Sequence, residues 1–142
     1  MTIKAILAAK PVAIISIHPS VKVTEAIALL AEKRIGALPV VEDSLVKGIF
    51  SERDVIYGLA RAGAAFLNEN VGAVMTSPAL TVSSESNVMA ALSLMTMRRV
   101  RHLPVVDGNT LLGFISIGDL VKYRIDKIEA EAAAMRDYIQ GA

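Results

Sequence analysis

The chain has 142 residues, 54% hydrophobic and only 4% aromatic, with a formal net charge of +1; this suits one domain with an aliphatic core and gives no overall basic footprint for DNA or RNA. There is no cysteine and there are two histidines, which removes disulfide and thiol chemistry and leaves little for a transition-metal site. Lys4, Lys10 and Pro11 interrupt the apolar N-terminal stretch, a poor signal peptide, and no apolar run is long enough to span a bilayer, so the expected setting is the cytoplasm.

In chain order, residues 1–10 read as a helix with Ile3, Ile6 and Leu7 on one face, ended by Pro11. Residues 13–17 read as a short apolar strand, and His18-Pro19 as a turn. Thr24 is placed to cap a helix running to about Arg34, with Ile27, Leu30 and Ala31 as its apolar stripe. Residues 37–41 and 45–50 form a hairpin around the polar turn Glu42-Asp43-Ser44. Ser51 opens a helix to about Gly63, with Asp54 where a capping box carries its acid. Residues 64–70 are a link short of Gly and Ser, so the two sides should pack together. The cycle then restarts with a strand at 79–82, a polar turn at 83–86 and a helix from about Asn87 to Arg98, in which Met89, Met95 and Met97 are read as core filler.

The restart is a repeat. Gly48-Ile49-Phe50-Ser51-Glu52-Arg53-Asp54 recurs as Gly113-Phe114-Ile115-Ser116-Ile117-Gly118-Asp119, an offset of 65 residues. The same offset lays Leu38-Pro39-Val40-Val41 on Leu103-Pro104-Val105-Val106, Arg34 on Arg99 and Val23 on Val88, with no gap. Two copies of a unit this long indicate a duplicated half-domain with a pseudo-two-fold axis. Taken alone, Ser51 with Asp54 and Ser116 with Asp119 are helix caps. They are also strand ends that can face a ligand, since helix N-termini favour anions and a carboxylate can accept two hydrogen bonds from a vicinal diol such as ribose.

The copies differ at Arg101 and His102, which replace Gly36 and Ala37 in a basic stretch beginning at Arg98. By itself this is a solvated helix end where cations suit the dipole. The last helix, to about Gln140, outruns the repeat. Its residues Val121, Ile125, Ile128, Ala132, Met135 and Ile139 are spaced as a heptad seam, which favours a helix–helix dimer contact over packing on its own domain.

A Gly-apolar-apolar-Ser-x-x-Asp motif after a Leu-Pro-Val-Val strand, present twice over residues 8–125, resembles a pair of cystathionine-β-synthase (CBS) domains, the Bateman module. The chain looks most like the small stand-alone bacterial pairs with no catalytic domain. The resemblance implies that Ser51 and Ser116 contact phosphate and that Asp54 and Asp119 hold ribose hydroxyls. It implies that Arg101 and His102 reach the phosphates of a nucleotide at the Ser51/Asp54 site and that Ser16, Ile17 and His18 line an adenine pocket; Arg53, inside the motif, reads equally as a phosphate contact or as a solvated face residue. The Ser116/Asp119 site would face Gly36 and Ala37, lack that basic partner, and be weaker or empty or hold an uncharged nucleoside group. It also implies that the N-terminal helix packs against the second repeat and that two chains associate.

The expected architecture is α/β: two βαββα-type repeats about a pseudo-two-fold axis and a long C-terminal helix, divided as residues 1–64, 65–125 and 126–142. The expected function is regulatory binding of AMP, ADP or ATP between the repeats, signalled to a protein target the sequence does not name. S-adenosylmethionine and NAD rank behind these. No catalytic residue, metal, required cofactor, membrane or nucleic acid is expected; the partner is a second copy of the chain, joined partly by the C-terminal helix. The alternative is a dimerisation or protein-interaction module with no nucleotide, its Ser-x-x-Asp motifs serving only as caps.

Overall fold

Each half of the molecule is built on a hairpin. In the computed structural model, which describes residues 1–9 and 13–141, β1 (Ala37–Glu42) pairs antiparallel with β2 (Leu45–Ser51), and β3 (His102–Asp107) with β4 (Thr110–Ser116). The registers match: Val40 lies opposite Gly48 and Val105 opposite Gly113, and the pairing shifts at the next residue in both. Asp43 and Ser44 close the first hairpin with φ of 52° and 65°, the hand that suits a two-residue turn. The helices are α1 (Ile3–Ala9), α2 (Val23–Lys33), α3 (Glu52–Ala62), the short α4 (Val71–Val74), α5 (Val88–Arg98) and α6 (Ile117–Gly141), with a 3-10 stretch, Gly63–Asn68, after α3. Lys10 and Pro11, the expected end of the first helix, lie outside the described residues.

Two sequence expectations change. Residues 13–17 and 79–82 are not strands; each makes one parallel bridge, Ile17 to Val40 and Val82 to Val105. The Ile17 N–H donates to the Pro39 carbonyl (3.1 Å) and the Val41 N–H to the Ile17 carbonyl (2.8 Å). The next rung would need an N–H from residue 39, and proline has none. Pro104 stops the second ladder in the same way, after Val82 bonds Pro104 and Val106. Nor does Thr24 cap α2: the helix already starts at Val23, whose N–H donates to the Glu69 carbonyl (2.9 Å), and the Thr24 hydroxyl donates to the Leu67 carbonyl (2.7 Å).

There are two cores, one per repeat, the first built around Phe50 and Phe66 and not purely aliphatic as expected, and each is sealed by the segment that precedes the other repeat. Ile3 and Ile6 of α1 are buried with Val88, Leu103 and Ile115 of the second repeat. Phe66, from the link, and Val71, just after it, are buried with Val23, Leu38 and Phe50 of the first. Backbone bonds fix both seals: Ile3 and Lys4 donate to Ser86 and Ser84, and Val71 and Gly72 donate to Val21 and Pro19. These seals correspond at an offset of 68, three more than within the repeats, so the duplication is ungapped inside each unit and slips in the segment before it.

The seal also explains the motif glycines. A Cβ on Gly48 would lie 2.8 Å from Met75 Sδ and 2.6 Å from the Thr76 carbonyl; one on Gly113 would lie 2.5 Å from Leu7 Cδ2. Leu7 and Met75 are again 68 apart. In both repeats the strand has no room for a side chain beneath the segment that covers it.

Candidate functional site

The strand-to-helix turns β2–α3 and β4–α6 carry the motif. At the first, the Asp54 N–H donates to Ser51 Oγ (3.4 Å), while the Ser51 N–H and hydroxyl donate to Asp54 Oδ2 (2.9 and 3.1 Å), a complete capping box. At the second, the Ser116 N–H donates to Asp119 Oδ2 (2.8 Å) and the Asp119 N–H to Ser116 Oγ (3.1 Å). Each turn is tied to its own repeat: the Glu52 N–H donates to the Gly36 carbonyl and the Ile117 N–H to the Arg101 carbonyl. These bonds draw the helix starts toward residues 36–37 and 101–102, where the repeats differ in charge.

Two clefts result. The Ser51 cleft, about 430 Å³, is walled by Ser51, Glu52, Arg53 and Tyr57 of the first repeat, by Thr76 a few residues past the link, and by Arg101 and His102 of the second repeat. The Ser116 cleft, about 420 Å³, is walled by Ser116, Asp119 and Phe114 of the second repeat and by Ala13, Ile14, Ile15, Arg34 and Gly36 of the first. Both volumes fall within the roughly 300–1,000 Å³ of small-ligand sites. The Ser51 cleft sets two arginines against one glutamate, and the Ser116 cleft one arginine against one aspartate.

Ser51, Arg53, Arg101 and His102, singled out from the sequence, thus meet in one cleft. Asp54 stands one contact behind its wall: Thr76 Oγ1 donates to Asp54 Oδ1 (2.9 Å). Each carboxylate oxygen has two lone pairs, so Oδ1 can accept from a ligand hydroxyl beside Thr76.

His102 belongs to both clefts, not to the Ser51 cleft alone. It stacks on Phe114 (centroids 5.5 Å apart, planes at 10°), and a Cβ on Gly36 would meet its Cε1 at 3.3 Å. The Ser116 cleft faces Gly36 and Ala37 as expected, yet it does not lack a basic wall. Arg34 lines it, because α2 ends there in a left-handed turn (φ 54°) immediately before residues 35–37 of the same wall.

Ser16, Ile17 and His18 line neither cleft. Ile17 is held in the first core by its bridge to Val40, and His18 Nδ1 turns back to Ser20 (2.8 Å to Oγ). The residues just before them, Ala13 to Ile15, line the Ser116 cleft instead. Thr76, Arg34 and Phe114 were also missed; the repeat offset, which pairs Phe114 with Ile49 of the opposite cleft, was the available signal for the last. Among the described residues no group of three or more His, Cys, Asp or Glu could hold a metal ion.

A family model for the CBS domain matches residues 4–61 and again 71–126. A solved CBS-domain containing protein from Agrobacterium tumefaciens is 37% identical with a TM-score of 0.83; the match covers 87% of this chain and 99% of that one. The mitochondrial CBS domain-containing protein CBSX3 of Arabidopsis thaliana is 34% identical over 124 residues, 84% of this chain, which spans 60% of that relative's length. CBSX2, solved in complex with AMP, is 27% identical with a TM-score of 0.75, over 88% of this chain and 96% of that one.

Proposed function

The chain belongs to the CBS domain family, and from that premise we propose that it is a non-catalytic regulatory module that binds an adenine nucleotide between its repeats and passes the event to a protein target. One observation carries the reading: the Ser51 cleft brings a helix start with Ser51 and Arg53 from one repeat against Arg101 and His102 from the other. A helix N-terminus and two guanidinium forks suit a phosphate. Asp54, behind Thr76, keeps acceptor capacity on Oδ1 for a ribose hydroxyl. The AMP complex of CBSX2 supports the choice of ligand class. The Ser116 cleft, with one arginine, is the weaker site on this reading. The described residues contain no helix long and apolar enough to cross a membrane. The exposed apolar residues of α6 favour a working homodimer.

A charge-assisted hydrogen bond contributes roughly 1.5–3 kcal/mol, so Asp54→Ala should weaken nucleotide binding by about ten- to a hundredfold. Asp54 is also a cap acceptor, so Asp54→Asn, which keeps one acceptor oxygen, separates loss of binding from loss of fold. The test is a thermal-shift screen with AMP, ADP, ATP, S-adenosylmethionine and NAD, with Asp54→Asn and Asp119→Asn in parallel. A ligand of the native state raises Tm by mass action. A rise that Asp54→Asn abolishes and Asp119→Asn largely keeps is the expected result. No rise with any nucleotide overturns the reading in favour of a pure assembly module.

A further inference from the structure

We propose that the exposed face of α6 is a homodimer seam along which two copies of the helix run parallel, with the flanking charges setting the direction. This deepens the dimer reading above and rests on it only in requiring two copies.

Leu120 is the one buried residue of α6 among those described. The seam is left in water: Val121 is 42% exposed, Ile125 49%, Ile128 47%, Met135 60% and Ile139 67%, and Ala132 is exposed as well. Their alternating spacing makes Val121, Ile128 and Met135 d positions and Ile125, Ala132 and Ile139 a positions. Lys122, Glu129 and Arg136 then fall at e, and Arg124 and Glu131 at g. An apolar stripe with charged shoulders, exposed along its length, is the pattern of a helix that pairs with another.

The shoulders choose the partner's direction. In a parallel pair a g residue faces the e residue of the partner's next heptad. Arg124 then meets the partner's Glu129, and Glu131 meets the partner's Arg136; the two-fold doubles both attractions. In an antiparallel pair e faces e and g faces g. With the apolar layers aligned, Glu129 meets the partner's Glu129, Glu131 meets the partner's Glu131, and Lys122 meets the partner's Arg136, so each of these contacts is repulsive.

The chain has no cysteine, so one introduced thiol reports the arrangement in the full-length protein. In the parallel seam position 135 meets itself. In the antiparallel one it faces the partner's Ile125, and two thiols at 135 lie about 15 Å apart along the axis, beyond disulfide reach. The experiment measures native mass by light scattering, then mild oxidation of Met135→Cys and of Ala130→Cys on the far face, each checked for fold by circular dichroism. The expected result is a dimer mass, a covalent dimer from Met135→Cys and none from Ala130→Cys. Adding Glu129→Lys and Glu131→Lys should slow the cross-link by about tenfold. A dimer whose Ala130→Cys cross-links as readily as its Met135→Cys, or in which neither Met135→Cys alone nor mixed Ile125→Cys and Met135→Cys chains cross-link, overturns the seam and leaves the dimer reading standing. Mixed Ile125→Cys and Met135→Cys chains that cross-link to each other and not to themselves overturn the direction. A monomeric native chain overturns the dimer reading and this inference with it.

Discussion

Asp107 shows how one carboxylate separates the two repeats. The Ser84 hydroxyl donates to one of its oxygens and the Ser84 N–H to the other, and Ser84 itself is buried. Those two bonds, with a smaller contribution from the charge of Lys4, hold the Asp107 carboxyl below the ordinary carboxylate range, against a smaller opposing effect of burial. A depressed folded-state pKa stabilises the fold above the unfolded carboxylate range, and that stabilisation is lost as pH falls through the folded pKa. Tm of the wild type should therefore exceed that of Asp107→Asn by a constant margin between about pH 5 and 8, and the margin should shrink toward about pH 3. A margin that persists at the acid end would mean that the carboxylate charge is not its source. The matching residues of the first repeat are Pro19 and Glu42, and Pro19 has neither hydroxyl nor N–H to donate, so only the second repeat carries this acid-sensitive clamp.

The elements repeat the same asymmetry at their helix starts. Lys22 and Asn87 hold the same cap position with nearly the same backbone, φ −69°, ψ 146° and φ −74°, ψ 138°. Asn87 accepts from the Met89 and Ala90 N–H groups, whereas Lys22 makes no side-chain cap bond. Asn87→Ala should cost about 1 kcal/mol, and Lys22→Asn should gain a similar amount, less the small exposed bond from Lys22 Nζ to the Asn68 carbonyl. Denaturant midpoints at unchanged m-value measure both, and a Lys22→Asn chain no more stable than wild type would show that the start of α2 is set by the backbone bond to Glu69 alone. The hairpins, the Ser51 and Ser116 caps and the two-fold were legible in the sequence, because alternation, turn residues and a repeat are local signals. The single bridges at Ile17 and Val82 were legible too, had the missing N–H of Pro39 and Pro104 been followed across to a neighbouring strand. The cleft walls were half legible. Ser51, Arg53, Arg101 and His102 stand in motifs, but Arg34, Thr76 and residues 13–15 enter the walls through chain paths that no local pattern encodes.

At the scale of the whole molecule, sequence neighbourhood and spatial neighbourhood disagree, and the disagreement is measurable. α1 adjoins the first repeat in sequence and completes the core of the second, while Phe66 and Val71 do the converse. Neither repeat can then close its core from its own residues, which couples the stability of the halves. It also ties the Ser116 cleft to the N-terminal segment through Leu7 and residues 13–15. Ile3, fully buried among Val88, Leu103 and Ile115, is the place to test this. Ile3→Ala should cost roughly 2–5 kcal/mol, the usual range for emptying a buried isoleucine site. Local opening energies are resolved by native-state hydrogen exchange. Amides of α5, β3 and β4 should lose protection in Ile3→Ala well before those of α2, β1 and β2, although residue 3 lies about 20 residues from α2 and more than 80 from α5. If protection falls first in α2, β1 and β2, then α1 supports the repeat it adjoins, and the crossed sealing of the cores does not govern the stability of the chain.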